Sequence, residues 1–113
     1  MVVGETDTAL AMRSGDVEVL ATPRLVALCE EAACFAVAGA LGAERTSVGV
    51  RVQFDHLAPV RTGSEVAAEA TLEKVEGRRL IFTVTATDSA GLVGAGKVTR
   101  VVVDRDEFLT KAR

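Results

Sequence analysis

Two titratable side chains are pressed into apolar company by the residues around them. Glu30 lies midway along a run that reads as a helix, with apolar neighbours one and two turns away on its own face. His56, the one histidine, falls on the same strand face as Val50, Val52 and Phe54. A carboxylate in such a place costs several kcal/mol unless it is paired or hydrogen-bonded. Thr22 precedes Pro23 at the helix start, where its hydroxyl is expected to act as N-cap. Titratable groups held in a cleft favour function, yet each of the three also has a plain structural account. A lone inward histidine is often a satisfied core residue, a glutamate can reach solvent or a dimer seam (Glu31 beside it is equally suited to exposure), and a threonine can simply cap. On pattern alone the catalytic and structural accounts are even.

Other chemistries find less support. Gly91, Gly94 and Gly96 are a poor phosphate loop because the glycine order is reversed and no helix follows. They are expected to mark kinks or close approach in a curved strand. Arg78 and Arg79 follow a turn and read as solvated, although an arginine pair also suits a nucleotide phosphate. One histidine and two helical cysteines give no metal-ligand spacing, so no metal or other cofactor is expected. Ser14, Ser47, Ser64 and Ser89 lack a nucleophile-elbow context.

The elements that must position Thr22, Glu30 and His56 follow from periodicity. Residues 23–41 contain no proline after Pro23, and Gly42 is placed to end the helix. Apart from Arg24, Glu30 and Glu31 this helix is apolar on every side, so it is expected to be enclosed. Strands follow. Residues 47–59 alternate, with Val48, Val50, Val52, Phe54, His56 and Ala58 on one face. Val66, Ala68, Ala70 and Leu72 alternate against Glu65, Glu69, Thr71 and Glu73, and Glu76-Gly77 marks a tight turn. Residues 78–87 place Leu80, Phe82, Val84 and Ala86 on one side, residues 88–91 turn, and residues 92–103 form the last long strand. Residues 104–110 are expected to close with a short helical turn, and residues 1–12 to add an edge strand. One enclosed helix followed by hairpin-linked strands is an α+β layout, and an antiparallel sheet curling round the helix covers it most economically. That is the hotdog fold, an antiparallel β-sheet wrapped around one long central helix.

The chain has 113 residues, which reads as a single domain over 1–113. Nearly half the residues are apolar, with no Trp, no Tyr and four Phe, so the core must be built from Val, Ala and Leu. A chain this short gains from association with a second copy, and a homodimer is expected. A net charge of −3 with interspersed signs argues against nucleic-acid binding. The longest apolar stretch, residues 32–42, is too short to span a bilayer, so no membrane partner is expected. Cys29 and Cys34 lie five apart on one helix and point to different sides, which disfavours a disulfide. Two reduced thiols without a signal peptide point to the cytoplasm.

From residue 16 through Thr22-Pro23 to Leu28-Cys29-Glu30 the chain resembles the fluoroacetyl-CoA thioesterase-like branch of the hotdog thioesterases. The resemblance resumes at Ser47-Val48-Gly49, at Asp55-His56-Leu57-Ala58-Pro59 and at Val75-Glu76-Gly77-Arg78-Arg79-Leu80, and covers most of residues 15–108. It implies a catalytic set of a threonine, a glutamate eight residues on and a histidine twenty-six beyond that, separations matched by Thr22, Glu30 and His56. It also implicates Gly49 and Arg100 in substrate binding.

The implied activity is hydrolysis of an acyl-CoA or acyl-carrier thioester. Such a bond needs a nucleophile, help for the leaving thiolate and an oxyanion stabiliser. The resemblance assigns attack or water activation to Glu30, proton management to His56, and orientation of the glutamate, water or carbonyl to Thr22. Gly49 would permit close backbone approach. Hotdog sites lie at the dimer interface, so both copies are expected to contribute. The family's namesake selectivity uses aromatic residues in a lid before the helix. Residues 12–21 here contain none, so the resemblance extends to a more general short- or medium-chain acyl thioester. Three alternatives remain: hydration or dehydration of an acyl thioester, a non-catalytic acyl-CoA-binding domain, and a structural dimer with Glu30 bridged across the seam, for instance to Arg100.

Overall fold

The computed structural model describes residues 1–113. The alternating, β-branched second half folds into four strands, β1 (Arg45–His56), β2 (Ala67–Glu76), β3 (Arg79–Asp88) and β4 (Gly91–Asp104). They form one antiparallel sheet of order β1-β4-β3-β2. Three helices accompany it: α1 (Ala9–Met12), α2 (Thr22–Val37) and α3 (Arg105–Thr110). The two hairpin turns fall where the sequence puts them. Gly91 ends the second with φ +130°, and Asp88 Oδ1 accepts hydrogen bonds from the backbone N–H groups of Ala90 and Gly91. The closing helical turn also forms, with the Asp104 carboxylate accepting from the Glu107 N–H at its N-terminus.

The long helix α2 lies across β2 and β3 and reaches β1. Leu25, Leu28, Cys29, Ala33 and Val37 recur at helical spacing and are buried. They meet Leu80, Phe82, Val84 and Ala86 of β3 and Val93, Val98 and Val102 of β4 in one apolar cluster. Phe82 is the only aromatic ring among the fully buried side chains, so the core is indeed mostly aliphatic. Each such Val, Leu or Phe contributes about 1.5–3 kcal/mol on leaving water.

Several local expectations change. α2 ends at Val37 and not at residue 41, because Ala38 and Ala40 bond back three residues to Phe35 and Val37 in a tightened last turn. Its N-cap is Ala21, and Thr22 is the first helical residue with its hydroxyl engaged elsewhere. The helix is not enclosed by its own chain: the sheet covers one face, while Ala27, Glu31 and Cys34 are exposed and Phe35 keeps 77% of its surface in solvent. The N-terminal edge strand shrinks to a bridge between Val2 and Glu65, after which the chain turns through Glu5–Asp7 into α1.

The change that matters most for function is a β-bulge. Gly49 pairs with Arg100 of β4 and Arg51 with Thr99, so Val50 is an extra residue in β1. The alternation slips by one at that point. Ser47 and Gly49 face α2 before the bulge, and Phe54 and His56 face it afterwards, which a strict period of two cannot achieve. Val48 and Val50, expected on the helix face, leave it: Val48 pairs with Val101 on the other face, and Val50 is 51% exposed. Opposite His56 and Phe54 stand Gly94 and Gly96. A Cβ on Gly94 would lie 2.5 Å from Phe54 Cζ, and one on Gly96 would lie 2.1 Å from the Gln53 carbonyl oxygen. These glycines mark close approach, as the sequence suggests. Gly94→Ala should therefore destabilise the fold by about 1–3 kcal/mol through displacement of the Phe54 ring, measured as a lower urea midpoint with an unchanged m-value.

Candidate active site

The helix start brings the first pair together. Thr22 opens α2 and His56 closes β1, and Thr22 Oγ1 lies 2.8 Å from His56 Nδ1. Released from capping, the hydroxyl points across to the strand. His56 Nε2 is buried under the chain's own atoms and has no hydrogen-bond partner. The pair borders a cleft of about 400 Å³ whose other walls come from the segment before α2 and the segment after β1. Ser14, Asp16 and Val17 supply one wall, Leu57 and Ala58 the other, and no Phe, Tyr or Trp lines it. Arg24 holds the N-terminal segment against α2 through a 3.0 Å bond from its Nε to Asp7 Oδ1.

A second cluster forms two helical turns further on. Arg100 of β4 is buried, and its guanidinium makes three bonds within the chain. Its Nη1 donates to Glu30 Oε2, its Nε to Ser47 Oγ and its Nη2 to the Ser47 carbonyl oxygen, each at 2.9 Å. Glu30 thus has one oxygen fixed by charge-assisted hydrogen bonding, while its side chain keeps 32% of its surface exposed. Gly49, on the inner face because of the bulge, lies directly against this carboxylate. A Cβ there would be 2.5 Å from Glu30 Oε2 and 3.3 Å from Arg100 Nη1, so the glycine is a spatial requirement. Beside Glu30, Cys29 is fully buried, and desolvation pushes its thiol up to about 11.

Thr22 and His56 therefore stand together, and Glu30, Gly49 and Arg100 stand together, but no hydrogen bond joins the two groups. Eight helical residues separate Thr22 from Glu30, a rise of about 12 Å. Arg100, expected at the substrate, also holds the glutamate, and the Glu30–Arg100 bridge forms within one chain. Ser47 is the residue that sequence reasoning missed. Its signal is a hydroxyl at the start of an apolar strand, next to that of Thr46 and unreadable without the register that brings it to Arg100. The arrangement offers an anchored carboxylate, a hydroxyl–imidazole pair and an open cleft.

Known proteins resemble this chain in sequence and fold. A family model described as fluoroacetyl-CoA-specific thioesterase matches residues 3–106. The fluoroacetyl-CoA thioesterase of Streptantibioticus cattleyicolor is 36% identical over 96 residues, spanning 85% of this chain and 69% of that protein. A crystal structure of the fluoroacetyl-CoA thioesterase FlK superposes with a TM-score of 0.93 at 32% identity, over 98% of this chain and 87% of that one. A hot-dog-like protein from Thermanaerovibrio acidaminovorans gives a TM-score of 0.88 at 29% identity, over 98% and 82%. The fold is accordingly the hotdog fold.

Removing the anchor should uncouple the second cluster. Arg100→Met leaves the Glu30 carboxylate and both Ser47 oxygens without their donor, and is expected to cost about 2–4 kcal/mol, read from chemical denaturation of the purified variant.

Proposed function

The chain belongs to the fluoroacetyl-CoA-specific thioesterase family and is an acyl-CoA thioester hydrolase, and from that premise we propose that it cleaves short- to medium-chain acyl-CoA at a site shared by two copies of itself. The observation that carries this reading is an anchored, partly exposed carboxylate on the same helix that, two turns earlier, holds a hydroxyl–imidazole pair at the edge of an open cleft. Glu30 is the group that attacks the thioester carbonyl or activates water for the attack. The thiolate of CoA then departs with the electrons of the C–S bond. Thr22 and His56 face the carbonyl near the N-terminus of α2, where the helix dipole favours developing negative charge.

Two features support sharing. About 12 Å of helix separates Thr22 from Glu30 of the same chain, a long reach for groups that must act on one carbonyl carbon. In addition, β1 is an edge strand with Val50 and Val52 exposed, and α2 presents Ala27 and Cys34 outward on the flank nearest Glu30. Two copies with their α2 helices antiparallel bring Thr22 and His56 of one to Glu30 of the partner subunit. The same pairing gives the apolar outer flank of α2 a neighbour.

The acyl pocket is set by the cleft walls. Val17 and Leu57 are each more than half exposed there, and no Phe, Tyr or Trp narrows the space, which suits an alkyl chain longer than a two-carbon unit. A cytoplasmic location is proposed, which fits two free thiols.

Free-thiol release from a panel of acyl-CoAs should rise from acetyl towards medium chains. No release from any of them by a folded sample would sink the substrate assignment. Glu30→Gln and Thr22→Val should each lose at least about 100-fold in turnover while keeping the oligomeric state of the parent. An equal mixture of the two, unfolded and refolded together, should recover about one quarter of wild-type activity, because half the dimers are mixed and each mixed dimer holds one intact site. No recovery would place both groups of a site in one chain.

A further inference from the structure

We infer that Ser47 is a positioning residue for the hydrolysis. Its hydroxyl and its carbonyl oxygen together clamp one edge of the Arg100 guanidinium, and the clamp aims the remaining nitrogen at Glu30. The inference rests on the thioester-hydrolase reading above for the reaction that Glu30 serves. The clamp itself lies wholly within one chain.

An arginine side chain is long and rich in rotamers, so a single hydrogen bond does not fix where its charged plane lies. Two bonds to one rigid partner do, because the guanidinium is planar and its N–H groups form a fixed fork. Ser47 supplies both. Nε and Nη2 share one edge of the plane; the first donates to Ser47 Oγ and the second to the Ser47 carbonyl oxygen, each at 2.9 Å. Nη1 projects from the other side of the plane and donates to Glu30 Oε2, also at 2.9 Å. Both acceptors of the fork belong to a residue whose backbone is locked into β1, where Ser47 pairs with Val102 of β4. The direction of Nη1 is thereby set by the sheet. Ser47 and Arg100 are only 8% and 7% exposed, so water is a poor substitute for a lost hydroxyl.

Removing the hydroxyl should spoil the aim while sparing the fold. The Ser47 carbonyl stays in any variant, and Glu30 still neutralises the guanidinium, so the buried charge keeps its partner. What goes is the second point of the fork. The plane is then free to swing about its bond to the carbonyl, and Nη1 and the carboxylate move with it. Little displacement is needed to matter, because β1 passes so close that a Cβ on Gly49 would lie 2.5 Å from Glu30 Oε2. Ser47 itself touches no reacting atom in this account. Its loss should therefore appear in kcat and leave KM nearly unchanged.

Threonine and valine at position 47 have similar shapes and differ in the hydroxyl, which makes them the deciding pair. Ser47→Thr should keep kcat within about threefold, whereas Ser47→Val should lose about tenfold, with KM within about twofold in both. In a Glu30→Gln background the same Ser47→Val change should cost less than about twofold, since it acts through the carboxylate already removed. The Arg100 Nε–H cross-peak in ¹H–¹⁵N NMR should exchange slowly with water in the wild type and in Ser47→Thr, and quickly in Ser47→Val. Equal kcat for the folded threonine and valine variants overturns the inference, as does a full further loss in the Glu30→Gln background. Should the added methyl prevent folding, Ser47→Ala adds no bulk, and wild-type kcat in that variant overturns it equally. Failure of the hydrolase reading has a different signature: the wild type releases no thiol, while slow exchange at Arg100 Nε–H still follows the hydroxyl.

Discussion

Arg100 ties β1, β4 and α2 together at one buried point, and the geometry of the candidate site depends on that tie. A guanidinium inside a Val-rich core is tolerable only because its donors are met by Glu30, by the Ser47 hydroxyl and by the Ser47 carbonyl. Each partner comes from a different constraint. The carboxylate is delivered by the helix phase of α2, and the serine by the register of the edge strand. Gly49 leaves the room in which the ion pair sits. A long, flexible glutamate thereby becomes a fixed group without losing access to solvent. Catalysis by a carboxylate asks for that combination, since an unanchored side chain spends binding energy on its own ordering.

The bulge at Val50 is the backbone counterpart of this anchor. Without it, Ser47 and Gly49 on one side and Phe54 and His56 on the other would face opposite sides of the sheet. The extra residue lets a single edge strand serve both the carboxylate cluster and the hydroxyl–imidazole pair. Gly94 and Gly96 in β4 complete the arrangement by letting β1 and the Phe54 ring lie close against them. The two halves of the site are thus set by one strand, its partner and one helix.

Much of this was legible in the residues. Glu30 and His56 stand out because polar groups in apolar periodic runs demand partners, and the hairpin turns announce themselves through Gly77 and Asp88. Register was not legible: nothing in the sequence marks Val50 as the extra residue, so the face assignment of Val48 and Val50 failed. Nor was the Arg100–Ser47 contact, which joins residues fifty-three positions apart. Thr22 misled for a physical reason. A hydroxyl before proline usually caps a helix, but here the turn begins one residue earlier and the imidazole takes the hydroxyl. The apolar circumference of α2 led to the expectation of an enclosed helix, whereas the sheet covers only one face and leaves Phe35 largely exposed.

Cys29 sits beside Glu30 in α2, and its burial has a bearing on what this site can avoid. A thioester is attacked by thiolates more readily than by most other groups, so a reactive cysteine near the carboxylate would accept the acyl chain itself and hold it. With its thiol raised to about 11, Cys29 is almost wholly protonated at neutral pH, at a level of about one thiolate in ten thousand. It also has no exposed surface through which to reach an acyl group. Self-acylation by transthioesterification at this position is thereby suppressed on two independent grounds, ionisation and access, and the acyl carbon is left to oxygen.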